Sequence, residues 1–202
     1  MVQITRNIVP GNNTQVRNGR KTRARLLASA AAAAVLLAGS GTVRAANDTW
    51  SATAAGTAYL WNDVTNWAST TQFPNAIDDV ANLNNDIAGA QTISLGQAIT
   101  VGTLNLGDSD GGNVFFGFTV QNGTGGSLTF SASSGTAAIN KLGTGTTADD
   151  TVSATVTLNS NLVVQNTSAS NLILSGTIGQ SGGSFGLTKT GSGTVRISGV
   201  NT

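Results

Sequence analysis

The 202-residue chain has no cysteine and no histidine, and every one of its nine acidic residues is aspartate. Without cysteine there are no disulfides, and without both residues there is neither a Ser-His-Asp or Cys-His nucleophile system nor an ordinary zinc site. Aspartate alone is left for acid–base chemistry. Charged residues make up only 9% of the chain and aromatic residues 5%, with a net charge of +1. That balance excludes the basic surface of a nucleic-acid binder. The length suits one modest domain.

The near-neutral total hides a division. Arg6, Arg17, Arg20, Lys21, Arg23, Arg25 and Arg44 precede Ala45, whereas all the aspartates follow it. A basic stretch ending at Arg25 leads into the apolar run 26–38, and Val43-Arg44-Ala45 supplies a small-residue cleavage site. This is the layout of a secretory signal peptide over residues 1–45. The apolar run is shorter than the roughly 20 residues that span a bilayer as a helix, so no stable membrane span is expected. The absence of an Arg pair favours the general secretory machinery, and the long basic leader suggests a large bacterial exported protein. Residues 46–202 then form an acidic, cysteine-free mature segment.

That segment is rich in Thr, Ser, Asn, Gly and aliphatic residues. Leu, Ile, Val and Phe are 37 of its 157 residues, about 24% against the roughly 20% below which disorder is the default. No window shows helical spacing of apolar positions. Instead, period-two stretches recur: Ile99–Leu106, Phe116–Val120, Ser127–Phe130, Val152–Leu158, Asn161–Val164, Asn171–Leu174 and Gly193–Ile197. Each ends in Gly, Asn or Asp, as a strand bounded by turns does. Leu104/Leu106 returns as Leu128/Phe130 and Leu172/Leu174 as Val195/Ile197, and Leu128 and Leu172 stand about two such periods apart. A period of about 20 to 25 residues with few tight hairpins predicts a solenoid rather than a sandwich. Some six coils at about 4.8 Å each would make a rod of about 30 Å. The cap region is expected over 46–90 and the coils over 91–202.

Residues 186–202, Gly-Leu-Thr-Lys-Thr-Gly-Ser-Gly-Thr-Val-Arg-Ile-Ser-Gly-Val-Asn-Thr, resemble the autotransporter-associated β-strand repeat of large bacterial surface proteins. Trp50, Trp61-Asn62-Asp63, Asn66-Trp67, Pro74 and Asp78–Leu83 resemble the start of such proteins. The resemblance implies a right-handed parallel β-helix, a passenger region at the cell surface, outer membrane or outside the cell, and a chain that continues beyond Thr202 inside a repeat. It carries over no catalytic residues.

Individual residues were weighed for chemistry. Adjacent Asp78 and Asp79 on a strand face opposite ways, so they cannot jointly flank a glycosidic bond; Asp63 with one of them is the remaining pair. Only Lys141, Lys189 and Arg196 could act as a lyase base. Asp108–Asn113 carries oxygen ligands at alternate positions but lacks the Gly and Glu spacing of an EF-hand, and reads as a turn. Trp61, Trp67 and Tyr59 could form a sugar platform, although covering the open end of a solenoid is the favoured role. Phe115, Phe116 and Phe118 supply core on one side. Gly191-Ser192-Gly193 is not a phosphate loop.

The expectation is therefore a non-enzymatic structural stalk or adhesin, the N-terminal part of a larger exported protein. It has no catalytic, metal or cofactor site and no nucleic-acid partner, and surface glycans or other cells are its possible partners. The alternative is the N-terminal part of a β-helical polysaccharide-degrading enzyme. The mature segment should give a β-type circular dichroism spectrum; a helical spectrum would overturn the fold expectation.

Overall fold

The computed structural model describes residues 45–109, 114–143 and 148–202, all within the structural unit Thr42–Thr202. The expected leader at 1–45, apart from Ala45, lies outside them. Among the described residues there is no α-helix, and no helix long and apolar enough to cross a membrane.

Strands follow one another in short rungs. The first rung holds β1 (Asn47–Thr49) and β2 (Gly56–Leu60), followed by a 3-10 turn at Val64–Asn66. The second holds β3 (Val80–Leu83), β4 (Gln91–Leu95) and β5 (Ala98–Val101), and the third β6 (Thr103–Leu106), β7 (Phe118–Asn122) and β8 (Ser127–Phe130). The fourth comprises β9 (Ala137–Lys141), β10 (Asp150–Val152) and β11 (Val156–Leu158), and the fifth β12 (Leu162–Asn166), β13 (Leu172–Leu174) and β14 (Ile178–Gln180). The sixth closes with β15 (Leu187–Thr190) and β16 (Val195–Ile197).

Strands in equivalent places stack in parallel. The first sheet runs β1-β3-β6-β9-β12-β15, the second β2-β4-β7-β10-β13-β16, and the third β5-β8-β11-β14. This all-β arrangement of three parallel sheets is compatible with a parallel β-solenoid. The ladders begin at Asn47, which pairs with Val80, so stacking starts well before residue 91.

Alternation explains which side chains face inward. Ala81, Leu104, Ile139 and Val164 share one column of the first sheet, and Ile99, Leu128, Val156 and Ile178 one column of the third. All eight are buried. The residues between them face outward, in rows of Asn and Thr and in one row of Val80, Thr103, Ala138 and Val163. Asn105 Nδ2 donates to Asn82 Oδ1 at 2.7 Å and Asn140 Nδ2 to Asn105 Oδ1 at 2.9 Å. Rows of Thr92, Thr119 and Thr151 and of Thr100, Thr129 and Thr157 cover the other sheets.

Two expectations about strand bounds and spacing need correction. The stretch Ile99–Leu106 is two strands on different sheets, because the chain turns at Gly102. Val152–Leu158 is likewise divided between β10 and β11. Leu104 stacks on Ile139, and Leu128 on Ile99 and Val156, so the repeat from Leu104 to Leu128 lies within one rung. Leu128 and Leu172 also stand on different sheets. Only the spacing from Leu172 to Val195 joins neighbouring rungs. Rung length varies, from 35 residues between Asn105 and Asn140 to 22 between Asp149 and Asn171. Most variation falls in the corner between the first and second sheets, at 84–90, 107–117, 142–149, 167–171 and 191–194.

Gly102 is the whole corner between β5 and β6, and it lets the backbone of Asp78 pass closely. A Cβ on Gly102 would stand 2.6 Å from the Asp78 Cα and 3.0 Å from its carbonyl carbon. Gly102→Ala should therefore cost about 1–3 kcal/mol of stability through overpacking, read as a lower urea midpoint. Thr129→Ala, on an outward row, should stay within about 0.5 kcal/mol. Equal midpoints for the two variants would contradict the close passage.

Candidate functional site

The corner between the first and second sheets concentrates the buried polar side chains. Backbone groups that leave the ladder at a turn need other partners, since an unpaired buried amide or carbonyl costs about 1–3 kcal/mol. Four successive rungs each contribute a side chain that meets this need. In the second, Gln91 Oε1 accepts from Trp50 Nε1 at 2.8 Å, and its Nε2 donates to the carbonyls of Ala52 and Ala54 at 3.0 and 2.9 Å. In the third, Asp108 accepts from the Ile87 and Phe116 amides at 3.2 and 2.8 Å. In the fifth, Asn166 Nδ2 donates to the carbonyls of Ser170 and Thr194 at 2.9 and 2.7 Å, and Oδ1 accepts from the Ser168 amide at 2.8 Å.

The fourth rung holds an ion pair. Lys141 ends β9 in the same inward column as Leu106 and Asn166, and Asp150 begins β10. Lys141 Nζ stands 2.5 Å from Asp150 Oδ2, with side-chain exposures of 1% and 0%. Nζ also donates to the Ala148 carbonyl at 2.9 Å, and Asp150 Oδ1 accepts from the Phe118 amide at 2.7 Å. Burial pushes the Asp150 carboxyl above its usual range. The Lys141 charge and hydrogen bond and the Phe118 amide oppose that push, and the Asp108 charge adds to it. Beside this corner lies a cleft of about 280 Å³ lined by Asn84, Asp108, Ser109, Phe115 and Leu142 among others.

The aspartates considered for glycoside chemistry are engaged elsewhere. Asp63 caps the 3-10 turn, accepting from the Thr65 amide at 3.0 Å and its hydroxyl at 2.7 Å; the hydroxyl bond leads in holding the carboxyl below its usual range. Asp78, at φ 67°, accepts from the Ser133 hydroxyl and from its amide at 2.9 Å, with the same effect. Asp79 is buried and accepts from the Ala46 and Asn75 amides at 2.6 and 2.8 Å. Adjacent as they are, the two carboxylates serve different partners. Asp149, partly exposed beside the ion pair, is held low mainly by hydrogen bonds from the Asn171 side chain.

The other sequence candidates also find places. Of the run 108–113, Asp108 braces the corner and Ser109 lines the cleft, while 110–113 lie outside the described residues. Lys189 Nζ donates to the Gly191 carbonyl at 2.5 Å, within its own turn. At Gly191, φ is +75° and a Cβ would meet the Asn166 carbonyl oxygen at 2.2 Å, so this glycine serves a tight stacked turn. Phe118 is fully buried, and Phe116 packs partly against the core.

Trp61 and Trp67 are fully buried and Trp50 nearly so, which is incompatible with a sugar platform. Trp67 packs edge-on against Trp50 and Trp61 at centroid distances of 5.2 and 5.0 Å. Each indole N–H has an acceptor: Gln91 Oε1 for Trp50, the Pro74 carbonyl for Trp61 at 2.9 Å, and the Trp61 carbonyl for Trp67 at 2.7 Å. Tyr59 joins Trp50 edge-on at 5.7 Å and donates to the Ala54 carbonyl at 2.9 Å. Sequence reasoning assigned Trp50 no place in this group, and the buried Lys141–Asp150 pair was missed. The signal for Lys141 was its parity with the inward Ala137 and Ile139.

The described tryptophans should emit at the short wavelengths of buried indole and resist acrylamide quenching until the protein unfolds. Emission that shifts on addition of oligosaccharide would contradict their burial as core. Comparison of the chain with protein-family models, curated proteins and solved structures gives no match, so its function has to be argued from the arrangement above.

Proposed function

We propose that this chain is a non-enzymatic structural or adhesive module of an exported bacterial surface protein. In this reading residues 1–45 direct it to the general secretory machinery and are removed. The mature part is a right-handed parallel β-helix of the autotransporter-associated passenger type, the N-terminal portion of a longer protein. The observation that carries the reading is the ladder itself. Six strands in each of two sheets stack in parallel, with aliphatic columns inside and rows rich in Asn and Thr outside. Such a stack transmits load along hydrogen bonds and presents a long, repetitive surface, which suits a stalk or a contact with surface glycans.

Cysteine-free stability fits the same role, because each rung adds ladder hydrogen bonds and buried area to its neighbours without a redox-dependent staple. The sixth rung leaves Leu187 and Ile197 partly open around a cleft of about 220 Å³ that Leu158, Ile178 and Phe185 also line.

The test is export. Expressed with residues 1–45 in a bacterial host, the protein should leave the cytoplasm, and its N-terminal residue should be Ala46. A cytoplasmic product that still carries the basic leader would overturn the surface assignment.

A further inference from the structure

The fourth-rung pair of Lys141 and Asp150 has features that an ordinary ion pair does not need. Both side chains are enclosed, with the amine nitrogen 2.5 Å from one carboxyl oxygen and the other oxygen fixed by the Phe118 amide at 2.7 Å. Leu106 and Asn166 stack on either side of Lys141, and Leu172 stacks on Asp150. Passing the proton across the hydrogen bond gives amine and acid and removes two full charges from such surroundings. An amine held against a carboxylic acid is a nucleophile held against its electrophile.

We propose that Lys141 and Asp150 form a spontaneous amide cross-link, an isopeptide bond between Nζ and the Asp150 side-chain carbonyl carbon. The nitrogen adds to that carbon. The Phe118 amide stabilises the negative charge that develops on Oδ1, as an oxyanion donor does. The Nζ–Cγ bond forms and the Cγ–Oδ2 bond breaks. Oδ2 leaves as water, carrying its own acid proton and one proton from the amine, and no oxidant, reductant or cofactor takes part. The product is a neutral amide spanning the corner between β9 and β10. It replaces two buried charges and ties together the ends of the segment 142–149.

This inference does not depend on the surface assignment, because it concerns folded chemistry alone. Intact-mass measurement of the purified protein, against the N-terminus found by sequencing, should give a mass lower than the sequence by one water. After denaturation trypsin should fail to cut at Lys141, and fragment spectra should place the lost water between Lys141 and Asp150. Lys141→Arg and Asp150→Ala should each restore the full expected mass. If those variants do not fold, the unaltered protein still decides the question. The full sequence mass with normal cleavage at Lys141, or a water loss located at another aspartate, would overturn the proposal.

Discussion

Everything in this molecule depends on the parallel, in-register ladder. Because each strand lies on its equivalent in the rung below, a side chain is stacked on one particular side chain, and a column must be acceptable along its whole length. Aliphatic residues satisfy that condition inside, where they gain burial from both neighbours. Asn and Thr satisfy it outside, where Asn82, Asn105 and Asn140 bond to one another in sequence. A charged residue in such a row would stand about 4.8 Å from its like in the next rung, a spacing at which repulsion is substantial. The low charge of residues 46–202 is thus a condition of the architecture.

The ladder provides no partners for backbone that leaves it, and the corner between the first and second sheets is where most backbone leaves. Gln91, Asp108 and Asn166 each take up freed amides or carbonyls there. Lys141 and Asp150 do the same while also meeting each other. These polar side chains displace apolar residues from the inner columns. Their hydrogen bonds let rungs of different length share one stack.

Strand content was legible because alternation is a local property: Ser127–Phe130 and Asn171–Leu174 show it without reference to anything else. Stacking partners were not, since they depend on corner length. Leu104 and Leu128 look like a repeat only until the insertions at 107–117 and 142–149 are known. Gly102 shows a related difficulty, because the inward positions slip there by one residue, from Ile99 and Val101 to Leu104 and Leu106, and only that slip marks the turn onto another sheet. Trp50 needed the long-range bond to Gln91 to be placed with the buried Trp61 and Trp67. For the corner polar residues, parity sets Gln91 with Ile93 and Leu95, Lys141 with Ala137 and Ile139, Asp150 with Val152 and Asn166 with Leu162 and Val164, but nothing local linked Lys141 to Asp150.

Asp78 and Asp79 carry a consequence for cooperativity. Stacked repeats ordinarily couple only to their neighbours, so that each can open against the next. Here Asp79 binds the Ala46 amide ahead of the first rung, and its carbonyl accepts the amides of Gly102 and Thr103 where the third begins. Across the single-residue corner at Gly102, Asp78 reaches Ser131 and Ser133 at the end of the third rung. Two consecutive residues thus fasten three rungs together. The smallest part of this region that can open is the three-rung block, and its opening free energy is correspondingly that of several rungs summed.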